Sequence, residues 1–183
     1  MPNLINQSFF VREITLPNTG NAAVLEGLNS FISKYEEDCL LKILGYPLYK
    51  LFGTQILMQR MIDLRDGAEY TNQFGKLAKW QGLVHSTDIS LIANYVYFYI
   101  QQTNASKTTG VNTSIPKGEK AINFSPADKM VTSWNFFSEE TANMISFLWY
   151  KKDLNGVRVY PEFTYEQGCI TSKLSRKINS FGI

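Results

Sequence analysis

The 183 residues are enough to bury a real core in one domain, with room for an appendage. With 18 Lys and Arg against 16 Asp and Glu, the net charge is +2, which argues against a general nucleic-acid-binding role. A single histidine, His85, excludes His-based metal sites and most catalytic triads within one chain, and two cysteines, Cys39 and Cys169, make neither a metal spacing nor a disulfide framework.

Residues 8–16, SFFVREITL, alternate loosely and are rich in β-formers, so a short N-terminal strand is expected, closed by the turn residues Pro17–Gly20. From Asn21 the apolar positions Val24, Leu25, Leu28, Phe31, Ile32 and Tyr35 recur at helical spacing, continuing through Cys39, Leu40, Ile43 and Leu44. Ser33 with Glu36 is a capping-box signature inside this pattern, leaving open one long helix or two. Gly45 and Pro47 stop that helix and start the next, which is expected to reach about Asp63 with a face of Leu48, Leu51, Phe52, Ile56 and Leu57. Cys39 reads as a small buried hydrophobe, and the acidic run Glu36–Asp38 as solvated charge opposite the buried face. Glu139 and Glu140 read the same way.

Gly67, Gly75 and Gly82 break any helical period, and Tyr70, Phe74 and Trp80 point to a small hairpin or ordered loop packed on the core. Ser86 or Thr87 caps a third helix with Asp88 in its first turn; apolar residues cover nearly its whole circumference from Ile89 to Ile100, which places it centrally. That run is too short and too interrupted to span a bilayer. Residues 103–124 lack helical period; Pro116-Lys117-Gly118 supplies a turn, and Val111, Ile115, Ile122 and Phe124 line one face of an expected two-stranded arm. Such a ribbon must lie against its own bundle or a neighbour. The fourth helix starts at the cap Ser125, with Pro126 first and Asp128 third, and carries the stripe Met130, Val131, Trp134, Phe137, Thr141, Ile145, Leu148 and Trp149. Lys151 and Lys152 suit its last turn and Gly156 its close. Residues 157–165 read as extended, with Pro161 at an edge; 170–178 read as a final short helix in a locally basic tail, 166–183.

No Gly-rich phosphate loop, HExxH, GxSxG or paired CxxC occurs, so neither an enzyme nor a cofactor site is expected. The fold class expected is mainly α: a small bundle of four main helices with a short N-terminal strand, a projecting hairpin-like arm and an extended C-terminal segment.

Taken together, FISKYEEDCLLKILGYPLYKLF (31–52), LRDGAEY (64–70), WQGLV (80–84), ANYVYFYIQQ (93–102), TTGV (108–111), SPADKMVTSWN (125–135), YPEF (160–163) and the terminal NSFGI give a chain that resembles the head–tail connector, or adaptor, proteins of tailed phages. The likeness is greatest to those of Bacteroides-like hosts, including the crAss-like group. The resemblance implies a non-enzymatic virion protein of the neck, made in the host cytoplasm and assembled as a ring beneath the portal vertex. Such a ring extends the DNA channel and gives the tail a docking surface. It implies partners in the portal protein, neighbouring copies and the next neck or tail protein, with no more than passive contact with packaged DNA and none with membrane. It directs attention to Val111, Ile115 and Ile122 of the arm and Phe181, Gly182 and Ile183 of the terminus as contact residues, and to Lys173, Arg176 and Lys177 as channel-facing or partner-facing cations. A head-completion or tail-terminator protein is the competing reading within the same biology. A helical domain binding a ligand or peptide in an aromatic pocket is the competitor from another class.

Overall fold

A computed structural model describes residues 3–16, 22–84, 90–108 and 126–179. The chain is mainly helical: α1 (Ala22–Thr54), α2 (Gln59–Asp66), the hairpin β1 (Ala68–Thr71) and β2 (Leu77–Trp80), α3 (Leu91–Thr108), α4 (Pro126–Tyr150) and α5 (Tyr165–Ser172). Among the described residues no helix is long and apolar enough to cross a membrane.

One apolar cluster runs through the bundle, with α3 at its centre. Leu91, Ile92, Ala93, Tyr95, Val96 and Tyr97 are all buried in succession, as a helix apolar on every side requires. Helix α4 packs antiparallel to it: Phe98 meets Trp134, and Tyr95 meets both Trp134 and Phe137, ring centroids 4.9–6.4 Å apart. Pro126 opens α4 and Asp128 lies in its first turn. The two lysines expected in its last turn, Lys151 and Lys152, lie just beyond its end.

The elbow in α1 is sharp because two chain features coincide. Gly45 adopts φ 72° and ψ 156°, outside helical geometry, and Pro47 has no N–H to give the carbonyl of Ile43. Helix α5 supplies the missing donors. Gln167 Nε2 donates to Lys42 O (3.0 Å) and Thr171 Oγ1 donates to Ile43 O (3.1 Å). The Gln167 side chain fills the space a Cβ on Gly45 would need, so a larger residue there would push the Gln167 amide off Lys42 O.

The hairpin closes on the end of α2 in the same way. Trp80 Nε1 and Leu83 N both donate to Leu64 O, and Val84 N donates to Arg65 O, satisfying the last carbonyls of α2. Gly67 and Gly82, at φ 100° and 96°, let these backbones touch: a Cβ on Gly82 would lie 2.6 Å from Arg65 O. Tyr70 and Trp80 face inward onto Phe147 of α4.

Four expectations need correcting. Residues 8–16 form no strand; they make two short 3₁₀ turns, Gln7–Phe9 and Arg12–Ile14, that bury Phe10 and Ile14. The buried residues Phe10 and Ile14 stand four apart, the spacing of a helical turn and not of a strand's inward face. The helix expected from Pro47 to Asp63 breaks at residues 55–58, leaving Leu57 83% exposed. Residues 157–165 are not extended: Lys152 and Arg158 make a single antiparallel bridge, Pro161 lies in a turn, and α5 begins at Tyr165, five residues before the helix expected at 170. The arm expected from 103 begins later, because α3 continues to Thr108; the rest of it, 109–124, lies outside the described residues.

Candidate interaction surface

Several side chains expected to be plain surface charge prove to be structural. Glu36 is 4% exposed: its carboxylate accepts from Leu4 N (2.8 Å) and Ile5 N (3.1 Å), fastening the N-terminal segment to α1. Burial pushes its pKa up, and the two N–H bonds only partly offset this. Asp38 accepts from Tyr95 Oη (2.6 Å) and from Lys42 Nζ (2.7 Å), so it too is committed to packing. Burial first, then donation to Asp38, pushes the Tyr95 phenol far up. Cys39 is fully buried and its thiol is likewise raised by burial, while Cys169 is exposed. No group of three or more His, Cys, Asp or Glu among the described residues could hold a metal. His85 lies outside them.

The expected contact residues divide sharply. Val111, Ile115, Ile122, Phe181, Gly182 and Ile183 lie outside the described residues. Lys173, Arg176 and Lys177 do not form a free basic tail. After α5 the chain turns and runs along α4: Trp134 Nε1 donates to Arg176 O (3.0 Å), Asn135 Nδ2 to Ile178 O (2.9 Å), and Ile178 N back to Asn135 Oδ1 (2.7 Å). Lys177 pairs with Glu139 at 2.8 Å, so an acid read as solvated binds a cation read as channel-facing or partner-facing. Lys173 and Arg176 remain exposed on this pinned strap.

The surface that stands out was not anticipated. At the end of the molecule where α4 finishes, two loop tips project side by side. One is the hairpin turn, with Phe74 and Leu77 each 73% exposed; the other is the 153–157 turn, with Leu154 fully exposed and Val157 60% exposed. An open cleft of about 750 Å³ lies between them, lined by Glu69, Asn72, Gln73, Tyr150, Lys151 and Asp153. Its geometry is rigid at the base. Lys151 Nζ donates to Glu69 O (2.7 Å), Tyr150 Oη to Gln73 Oε1 (3.1 Å), and Tyr70 Oη bonds Ser146 Oγ (3.1 Å). The second tip is held by Asp153, whose Oδ1 accepts from Asn155 N and Val157 N (each 2.9 Å), and by the Arg158 guanidinium stacked 4.0 Å above Trp149. Phe74, expected against the core, is instead as exposed as Leu77. The signal for the second tip was present in Asp153-Leu154-Asn155-Gly156: turn chemistry with a leucine in it, an apolar residue with no local reason to be there.

No family model matches the chain, and neither a curated protein nor a solved structure does.

Proposed function

We propose that this chain is a structural subunit of the neck of a tailed-phage virion, forming a ring that joins the portal vertex to the tail and extends the DNA channel. The observation that carries this reading is the pair of braced loop tips bearing Phe74, Leu77, Leu154 and Val157 around an open cleft. Apolar side chains displayed together on rigid turns are the mark of a protein-contact surface. The connector-like motifs described above give that surface a biological setting. A ring subunit needs two unlike faces for its neighbours, related by a rotation that closes, and further surfaces for the portal and the tail. The loop tips offer one such face; the strap carrying Lys173 and Arg176 lies along α4 and offers another.

Quantitative mass spectrometry of particles from the phage or prophage that encodes the chain tests the proposal. A fixed ratio to the portal protein is expected. Its absence from particles, or particles lacking it that still join head to tail, overturns the reading.

A further inference from the structure

After α5 the chain turns a corner and lies back on the bundle. The corner is held by Lys173 N donating to Ile170 O (3.2 Å), Leu174 N to Thr171 O (2.9 Å) and Ser175 N to Ser172 O (3.3 Å). Beyond it the strap is held as a docked peptide is held, by its backbone. Trp134 Nε1 reads Arg176 O, the Asn135 amide reads both backbone groups of Ile178, and Lys177 pairs with Glu139. Among the described residues, the polar contacts of Arg176, Lys177 and Ile178 all go to α4. The hold is modest. Lys177 and Glu139 are each 61% exposed, where salt screens the pair and its worth is small. No residue from 173 to 179 is buried, whereas the N-terminal segment sinks Ile5, Phe10 and Ile14.

We infer that residues 173–179 are an exchangeable arm: in the assembled state the strap of one copy lies on α4 of the next, on its Trp134, Asn135 and Glu139. This rests on the reading of the chain as an assembling subunit and names one of its contacts. A second copy carries the same three receptors in the same geometry, and recognition of backbone groups does not depend on which chain they belong to. Every bond broken in the exchange is therefore remade, the charge complementarity of Lys177 and Glu139 included. The two arrangements then differ only in the corner at 173–175 and in the freedom lost on association. Opening that corner gives reach. Six residues from Ser172 to Ile178 extend to about 20 Å, about twice the width of a helix. When each copy gives its strap to the next, a strap meets a helix and not another strap, so the contact is heterologous, the type that a ring requires.

Chains with one reactive cysteine test this in a Cys169→Ser background, where the buried Cys39 stays unlabelled. Glu139→Cys and Lys177→Cys chains are mixed, both as concentrated purified protein and within particles, and treated with a short bis-maleimide. A linked pair of chains is expected, whereas the doubly substituted chain at high dilution should link only within itself. Asn135→Ala separates exchange from mere proximity. In the Glu139→Cys chain, which receives the strap, it should cut linkage several-fold; in the Lys177→Cys chain it should change nothing. A melting curve on Asn135→Ala shows whether the bundle survives, and the linkage of the parent chains stands without that variant. No linked pair in either preparation, or an equal effect of Asn135→Ala in both chains, overturns the inference. Particles holding the chain at fixed ratio with no link between chains defeat exchange alone. Linkage between purified chains that particles lack altogether defeats the neck reading alone.

Discussion

Replacing Glu36 by alanine isolates the one carboxylate that holds the N-terminal segment. Ile5 is 2% exposed, so its N–H, now 3.1 Å from Glu36 Oε2, would be left without an acceptor and out of reach of water. Leu4 N is only partly buried and can recover a water. One orphaned buried donor costs roughly 1–3 kcal/mol, and the loss of a charge-assisted bond at Leu4 adds to it, while relief from burying a carboxylate subtracts. The net expectation is about 2 kcal/mol, a fall in Tm of about 4–8 °C for a chain of this size. Amide exchange at Leu4 and Ile5 should accelerate before the bundle as a whole opens. The pH dependence has a definite sign. Burial raises the folded pKa of Glu36 above its unfolded value, so on lowering pH the folded state takes up its proton first and the wild type gains stability relative to Glu36→Gln. That advantage is complete below the unfolded glutamate value and is lost as pH rises through the folded one. An unchanged Tm in Glu36→Ala with Ile5 still protected, or a wild-type advantage over Glu36→Gln that shrinks on acidification, would refute the reasoning.

Three further outcomes follow from the geometry. Gly82→Ala should cost at least about 2 kcal/mol, since its Cβ meets backbone atoms at 2.6–2.7 Å that no rotamer can move, whereas Gly75→Ala, at φ 73° with nothing within 4 Å, should lose only about 1–2 kcal/mol; chemical denaturation ranks them. Phe74→Ser combined with Leu154→Ser should leave stability within about 0.5 kcal/mol and abolish incorporation into particles, read by complementation and mass spectrometry. A thiol reagent should titrate one cysteine in the native chain, Cys169, and two in denaturant, because Cys39 is sealed in the core.

The parts of the fold legible in sequence are those fixed by local chemistry. The Gly45–Pro47 elbow and the start of α4 at Pro126 each follow from a few adjacent residues and lie where they were read. The apolar character of α3 is likewise as read, but the helix begins at Leu91, where Ser90 Oγ accepts from Ala93 N, and not after a cap at Ser86 or Thr87 with Asp88 in the first turn. What escaped reading depends on partners distant in sequence. Glu36 looks like one more exposed acid until Leu4 and Ile5, more than thirty residues away, arrive to donate to it. The basic tail looks unattached until Trp134 and Asn135 capture its backbone. The α5 start was misplaced because Thr164 caps it through Gln167 N, and Gln167 and Thr171 are held there by the α1 elbow, an interaction across more than 120 residues. As for the candidate surface, Phe74 was seen as a residue but assigned to the wrong side, since a hairpin turn gives no periodicity from which to tell inside from out.

The distribution of aromatic residues bears on how such a subunit would hold its partners. Aromatics make up 14% of the chain, enough to serve both a core and a contact surface. Among the described residues most are spent on the core: Trp80, Tyr95, Tyr97, Phe137, Phe147, Tyr160 and Phe163 are essentially inaccessible, and of the described aromatics only Tyr46, Phe74 and Tyr165 are strongly exposed. A contact face with one aromatic and three aliphatic anchors offers few hot spots, so each pairwise contact would be weak. Closure changes that arithmetic. In a ring every copy is held on two sides, and loss of one copy breaks two contacts at once, so modest faces give a durable assembly only when the ring is complete. A chain with a closely packed interior and sparse surface anchors is therefore suited to remaining separate in solution and assembling on a template. The proposed neck ring would have such a template in the portal.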